Sequence, residues 1–157
     1  MKRIVIFALM ITVVTAGLAL GQMKGSADVV KATAATSAIK SAPGEKVSFD
    51  VKIDIQEKWH IYAHGDTNFI GVDLVPDEGF VLTDFEAEYP AGHEGEFFGD
   101  KVVMIEGKDV IKASALVPAD LAVGEHELAF SVTVQACDDK MCLAPAYIPV
   151  TLKLTVE

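Results

Sequence analysis

The segment Leu128-Ala129-Phe130-Ser131-Val132-Thr133-Val134-Gln135 alternates large apolar residues with small or polar ones, without a break. Such a period of two is typical of a β-strand that has one buried face and one solvent-exposed face. The same alternation occurs at Val47–Ile55 and at Ile148–Val156. These three strongly patterned segments predict a chain built from β-strands.

Weaker strand patterns fill the remaining sequence, separated by turn signals such as Pro43-Gly44 and Pro76-Asp77-Glu78-Gly79. No amphipathic segment of helical length follows residue 28. Seven to nine short antiparallel strands predict a two-sheet β-sandwich of immunoglobulin-like type. Trp59 fits the buried tryptophan of such cores, and Pro149 predicts an edge position or a bulge for the last strand. The weaker strands are expected at Val29–Ile39, Trp59–Ala63, Val72–Val75, Phe80–Glu88, Val102–Ile105 and Val110–Val117.

The N-terminus has the pattern of a signal peptide. A basic start precedes the uncharged run Ile4–Leu20, and the small residues around it predict cleavage after Gly21. Because the run has 17 residues and a comfortable membrane span needs about 20, an uncleaved N-terminal anchor is the less favoured interpretation. Export to the periplasm, or to another oxidising compartment, is therefore predicted. The predicted organisation is a signal peptide at 1–21, a flexible leader at 22–28 and one domain at 29–157.

The charge of the mature chain excludes some partners. Removal of residues 1–21 leaves 11 basic and 23 acidic residues, a net charge of −12 with neutral histidines. Such a surface argues against nucleic acid and against anionic lipid as partners. Contact with a membrane is expected only through the N-terminal segment, if it is not cleaved.

The chain contains two cysteines, Cys137 and Cys142, in a segment that follows the strand 128–135. A disulfide between them would close a loop of six residues, which the chain-entropy model values at about 2 kcal/mol, against about 4.7 kcal/mol for a loop of a hundred residues. A disulfide that closes so small a loop adds little stability, which suits a bond that is repeatedly formed and reduced. A structural disulfide at a strand corner is the alternative that the spacing leaves open.

Strand parity predicts the neighbours of these cysteines. Cys137 belongs to the outward-facing set of its strand, which predicts an exposed sulfur. In the segment that starts at Trp59, the residues Trp59 and Ile61 face inward, and His60 and Tyr62 face the other way. If the two strands are adjacent, the cysteine pair lies beside an imidazole and a phenol.

Three segments carry a resemblance to the N-terminal domain family of the thiol:disulfide interchange protein DsbD. The segment Val134-Gln135-Ala136-Cys137 through Cys142-Leu143-Ala144-Pro145 is similar to the family's Q-A/G-C…C-x-x-P strand and loop. Trp59-His60-Ile61-Tyr62 with Gly65-Asp66 resembles its W-H-I-Y…G-D stretch. His93-Glu94-Gly95-Glu96-Phe97-Phe98-Gly99 resembles its D-E-F-Y-G loop.

The resemblance implies an immunoglobulin-like fold with a redox-active pair at Cys137 and Cys142. It implies a cap loop in which Phe97 shields the pair, with Glu96 as the acidic residue near the cysteines and with His60 and Tyr62 lining the site. Gly95 replaces an acidic residue of the family pattern. The implied partners are thioredoxin-like proteins or a membrane electron-transfer protein, and the implied setting includes cytochrome c biogenesis.

Two alternatives belong to other functional classes. A non-catalytic binding or assembly module would carry the same disulfide as a structural element. A copper site would need His60, His64, Met104 or Met141 to converge with the cysteines, and scattered residues of these types rarely do so. We therefore predict no metal and no cofactor, and a thiol–disulfide oxidoreductase that acts as an electron carrier.

Overall fold

The computed structural model describes residues 24–157, so the predicted signal peptide lies outside the described residues. Eleven strands and one 3₁₀ turn, Ser26–Asp28, make up the described chain. No helix among residues 24–157 is long and apolar enough to cross a membrane. The strands are β1 (Val30–Ala34), β2 (Ala38–Ser41), β3 (Lys46–Ile55), β4 (His60–Tyr62), β5 (Asp73–Pro76), β6 (Thr83–Glu88), β7 (His93–Phe97), β8 (Asp100–Glu106), β9 (Lys108–Leu116), β10 (Gly124–Val134) and β11 (Ala146–Val156).

Two four-stranded sheets form an immunoglobulin-like sandwich, in the orders β1-β3-β9-β6 and β2-β11-β10-β5. Every pair of strands is antiparallel except β2 and β11, which run parallel. A third sheet, in the order β4-β8-β7, lies at one end. It is joined to β10 through a backbone bridge between His60 and Cys137, so this small sheet positions the site.

The predicted alternation is confirmed in the three strong strands. In β3 every second residue from Val47 to Ile55 is buried, and in β10 the same holds from Leu128 to Val134. Phe130 lies at the centre, with the Phe49 ring 5.0 Å away between centroids. Burial of these apolar faces on each other is the main driving force for the sandwich.

The strand count exceeds the predicted seven to nine for two physical reasons. The segment Val29–Ile39 was expected to be one strand, but the chain changes sheets: Ala34 pairs with Val51, whereas Ala38 pairs with Lys153 in the other sheet. Strand β7 lies where the sequence predicts a loop, because the segment, with two exposed glutamates and a glycine, has no apolar alternation.

Two single-residue expectations also have clear outcomes. Trp59 is only partly buried and packs against the border of the core, where the Nζ of Lys24 lies 5.2 Å from its ring centroid. Pro149 lies in the part of β11 that pairs with β10 alone among the described strands, since β2 pairs only with Lys153–Val156. That position is the edge that Pro149 predicted.

Residues 25–28, which the sequence prediction places in a flexible leader, form a turn that packs on the domain. Ser26 is fully buried, and its hydroxyl donates to the carbonyl oxygen of Ala144 at 2.7 Å and accepts from the N–H of Ala136 at 2.9 Å. The carboxylate of Asp28 accepts from the N–H of Gly25 at 2.7 Å. The short turn is therefore fixed to both ends of the cysteine loop, which sequence periodicity could not reveal.

Candidate redox site

Cys137 and Cys142 are joined in a disulfide, with their Cα atoms 4.0 Å apart. The bond closes the loop between β10 and β11. Beyond Cys142, the N–H of Leu143 donates to the carbonyl oxygen of Ala136 at 2.8 Å, and the loop is closed inside by the N–H of Asp138 donating to the carbonyl oxygen of Met141 at 2.9 Å. The pair thus sits at the tip of a hydrogen-bonded hairpin.

The carboxylate of Asp138 organises the loop. Its Oδ1 accepts from the N–H groups of Lys140 and Met141, both at 2.8 Å. These two backbone bonds hold the pKa of the Asp138 carboxyl below its usual value, because they favour the charged form. Side-chain capping of this kind is typical of aspartate in tight turns.

Strand β4 lies directly beside Cys137, so the adjacency on which the parity argument depends is present. His60 and Cys137 exchange two backbone hydrogen bonds of 2.9 Å, N–H to carbonyl oxygen in each direction. Directly opposed residues of an antiparallel pair place their side chains on the same face. The imidazole of His60 is therefore on the side of the sheet that carries Cys137.

The predicted exposure of Cys137 is wrong. Its side chain does face away from the main core, but it is fully buried, because Tyr62, Phe97 and Val102 of the third sheet pack over it. Parity along one strand gives the direction of a side chain and says nothing about what covers it. Cys142 is only partly buried, so it is the sulfur nearer to solvent.

Aromatic rings cover the disulfide between Cys137 and Cys142. Phe97 is 5% exposed, and its ring centroid lies 5.5 Å from that of His60, 6.2 Å from that of Tyr62 and 5.4 Å from that of Phe69. Phe69 stacks on Tyr62 at 4.4 Å. We call Tyr62, Phe69, Phe97, Val102, Met104, Cys137 and Cys142 the disulfide cluster, since they pack together apart from the main core.

A polar path runs through this cluster. The Tyr62 hydroxyl lies 4.0 Å from Sγ of Cys142 and 3.4 Å from Nε2 of His60. A disulfide sulfur carries no hydrogen, so in this contact the tyrosine hydroxyl is the donor and the sulfur is the acceptor. The hydroxyl can therefore support negative charge on that sulfur whenever Cys142 is a thiolate.

Burial controls the protonation of both polar residues. It raises the pKa of Tyr62 to about 12, with a further contribution from the charge of Asp66. It also lowers the pKa of His60, although the carboxylates of Glu106, Asp139 and Asp138 oppose the shift. At neutral pH His60 is thus a neutral imidazole and Tyr62 a protonated phenol.

The other predicted site residues are not part of the cluster. Glu96 is exposed, since it alternates with the buried Phe97 along β7, and it lines an open groove of about 380 Å³ with Asp66, Glu94 and Lys101. Its assignment to the site stays a prediction. His64 stacks on Tyr89 instead, with ring centroids 3.9 Å apart. Within residues 24–157 no three His, Cys, Asp or Glu side chains converge as metal ligands.

Phe69 is the site residue that strand patterns missed, because it lies in an irregular segment. Oδ1 of Asp66 accepts from the N–H groups of Asn68 and Phe69, at 2.8 and 2.9 Å, and this turn directs the ring to Tyr62. The Gly65-Asp66 pair was the available signal, since such pairs mark turns.

These features define a class: an immunoglobulin-like β-sandwich with a covered disulfide at one end. The family model for the N-terminal part of the thiol:disulfide interchange protein DsbD matches residues 26–153. The chain therefore belongs to the DsbD N-terminal family and is a domain of the thiol–disulfide interchange type.

One solved structure agrees on the fold. The N-terminal periplasmic domain of ScsB from Proteus mirabilis is 14% identical, with a TM-score of 0.56 over 81% of this chain and 45% of that chain. This chain thus spans less than half of that structure. A fimbrial protein of enteroaggregative Escherichia coli, involved in host recognition and biofilm formation, is also 14% identical over 82% of this chain and 99% of that chain, but its TM-score of 0.41 carries no argument. No curated protein sequence gives a significant match.

Proposed function

We propose that the chain is an exported electron carrier, which exchanges its Cys137–Cys142 disulfide with the cysteines of thioredoxin-like partners. The supporting observation is the separate disulfide cluster: a bond at a sandwich end, with one partly buried sulfur under an aromatic hairpin. A structural disulfide does not require an aromatic cover of its own. The periplasm is the proposed location, and a membrane electron-transfer protein is the proposed alternative partner.

The proposed exchange starts at Cys142, the sulfur nearer to solvent. A thiolate of a reduced partner attacks Sγ of Cys142, a mixed disulfide forms and Cys137 leaves as a thiolate that takes up a proton. The second partner thiolate then attacks the partner sulfur of the mixed disulfide and releases Cys142 as a thiolate. Two electrons pass to this chain, and the partner is left with a disulfide.

Phe97 has the role of a cover in this proposal. While its ring packs on His60 and Tyr62, the disulfide is shielded from small thiols and from solvent. An incoming thiolate must approach Sγ of Cys142 nearly in line with the S–S bond. The hairpin of β7 and β8 must therefore move away from the disulfide when a partner docks. Glu96, on the exposed face of the same hairpin, is proposed to meet the partner rather than the sulfur.

The second candidate is a binding or assembly module with a structural disulfide. Complete burial of Cys137 favours it, because buried disulfides resist exchange. The deciding measurement is the reduction potential of the bond, obtained by equilibrating the protein with a thioredoxin-like dithiol and trapping thiols with a mass-labelled reagent. An electron carrier is expected above about −300 mV, and a structural bond below it.

The double variant Cys137→Ser with Cys142→Ser is the blank for this titration. A value below −300 mV, with no mixed disulfide trapped by a single-cysteine partner, contradicts the carrier and supports the binding module. A role in cytochrome c biogenesis stays a prediction, which the identity of a trapped partner tests.

A further inference from the structure

Several exposed apolar side chains adjoin the disulfide cluster in sequence. Six large apolar side chains are exposed among the described residues. Three of them, Ile70, Phe98 and Met141, are direct sequence neighbours of cluster members, namely Phe69, Phe97 and Cys142. We call these three the apolar rim. Exposed apolar residues that form a patch mark interaction sites, whereas scattered ones need no explanation. Because each of these three residues directly precedes or follows a member of one packed cluster, we infer that they border it as a patch.

Phe98 is the most exposed member of the rim, at 74%. It lies at the tip of the β7–β8 hairpin, where Phe97 pairs with Asp100 and leaves a two-residue turn of Phe98 and Gly99. Both turn residues have positive φ, 50° and 91°, which is the geometry of a type I′ turn. Asn-Gly is the favoured sequence there, and a bulky residue at positive φ is a genuine outlier.

Local rules therefore disfavour Phe98 twice, by its backbone conformation and by its contact with water. Its only aromatic neighbour among the described residues is Phe97, at 4.4 Å between ring centroids. Residues that break local rules without a gain inside the fold are expected at functional sites. Aromatic residues, phenylalanine included, are also enriched in protein interfaces.

Charged groups near the rim are mainly acidic. On the hairpin, Glu96 and Asp100 are exposed beside Lys101, and on the cysteine loop Asp138 and Asp139 stand beside Lys140. The mature chain as a whole is strongly acidic. Complementary charge speeds docking and rejects partners of the same sign.

We propose that the apolar rim is a docking surface for a protein whose reactive cysteine is surrounded by apolar residues and bordered by Lys or Arg. Phe98 is its anchor, and the acidic border selects the sign of the partner's charge. The inference rests on the proposed exchange at Cys142, and it adds the chemistry of the partner to it. A partner with an acidic border is rejected by Glu96, Asp100 and Asp139.

The test uses three synthetic peptide thiols as reductants of the full chain. Each has one cysteine: the first has Leu and Phe around it and Lys at both ends, the second replaces Lys by Glu, and the third replaces Leu and Phe by Ser. Dithiothreitol is the small reductant that needs no docking. Reduction is followed by trapping the thiols of the protein.

The decisive variant is Phe98→Asn, which suits the turn and so preserves the fold. We expect its Tm to be unchanged or raised, its rate with dithiothreitol to be unchanged and its rate with the Lys-ended apolar peptide to fall about tenfold, to the rate of the Ser peptide. Tyr147→Asn is the matched control, because Tyr147 is an aromatic of 73% exposure on β11. Its rates should equal those of the parent protein.

The charge arm compares the Lys-ended and Glu-ended peptides. At low salt we expect the Lys-ended peptide to react about tenfold faster, and we expect the difference to shrink at 0.5 M salt, since ions screen exposed charges. Glu96→Gln combined with Asp139→Asn should reduce the low-salt difference.

The outcomes separate the two claims. If no reductant opens the bond and its reduction potential lies below about −300 mV, the carrier function is wrong. If dithiothreitol and all peptides open it at rates that neither Phe98→Asn nor peptide charge alters, the docking surface is wrong and the carrier stands. If Phe98→Asn changes the dithiothreitol rate as much as the peptide rate, Phe98 acts through the Phe97 cover, and the docking anchor is also wrong.

Discussion

The hydroxyl of Tyr62 lies 4.0 Å from Sγ of Cys142, although 80 positions separate the two residues in sequence. Strand β4 carries the phenol to the cysteine loop through its backbone pairing with Cys137. A hydroxyl at this position can donate to a developing thiolate, and a hydrogen bond to a charged group contributes about 1.5 kcal/mol. In the proposed exchange, the contact would stabilise Cys142 when it is released from the mixed disulfide as a thiolate.

Replacement of Tyr62 by Phe should slow the reactions of Cys142 and leave the packing of the ring intact. In a Cys137→Ser background, we expect alkylation of Cys142 by iodoacetamide at pH 7 to fall about tenfold, since about 1.4 kcal/mol corresponds to a factor of ten. Tyr147→Phe is the control, because that hydroxyl is exposed on β11. Equal alkylation rates in Tyr62→Phe and in the control would show that the 4.0 Å contact has no chemical role.

Burial of His60 predicts a pH dependence of stability. The pKa of His60 is lowered in the folded protein, so the unfolded chain binds the proton more readily, with a pKa near 6.5. Above that value His60 is neutral in both states and does not reduce the free energy of unfolding. As pH falls from that value to the lower pKa of the folded state, protonation favours the unfolded chain and the free energy of unfolding decreases. The Tm of the oxidised protein should therefore fall between pH 8 and pH 5 by more than the Tm of a His60→Gln variant.

His126→Gln is the control for this measurement, since the ring of His126 is only partly buried and its Nε2 contacts a carbonyl oxygen, that of Ala122, at 2.7 Å. It should keep the pH dependence of the parent protein. Parallel curves for the parent and for His60→Gln would mean that the burial of His60 carries no proton linkage.

The cover provided by Phe97 predicts two opposite effects of Phe97→Ala. Loss of a buried phenyl ring costs about 3 kcal/mol of stability, and the opened cluster should be reduced by dithiothreitol at least tenfold faster. Phe49→Ala is the matched control, because Phe49 is equally buried, at 4% exposure, in the main core. If Phe49→Ala accelerates reduction as much, global unfolding explains the effect and Phe97 is no cover.

Local patterns explain which parts of this fold could be predicted. The alternation in β3, β10 and β11 identified the main core because each strand has one face on the other sheet. The third sheet was harder, since β4 is buried on both faces and β7 has no apolar face. Burial of Cys137 depends on that sheet, so no pattern within its own strand could have predicted it.

The site residues divide in the same way. Cys137, Cys142, Tyr62, His60 and Phe97 meet as their motifs indicated, because neighbouring strands bring them together. Phe69 joins them from an irregular segment, for which only a turn signal existed.

Ser26 predicts a stability effect far from the disulfide in sequence. Its hydroxyl is the acceptor for the buried N–H of Ala136, one residue before Cys137, at 2.9 Å. Ser26→Ala leaves that N–H without its acceptor, which costs about 1–3 kcal/mol. Urea unfolding should show this loss, and the amide of Ala136 should exchange hydrogen faster, because the base of the cysteine loop is loosened. Ser37→Ala, at an exposed position between β1 and β2, should stay within about 0.5 kcal/mol of the parent protein. An equally small effect of Ser26→Ala would mean that water replaces the hydroxyl and that the N-terminal turn does not hold the loop.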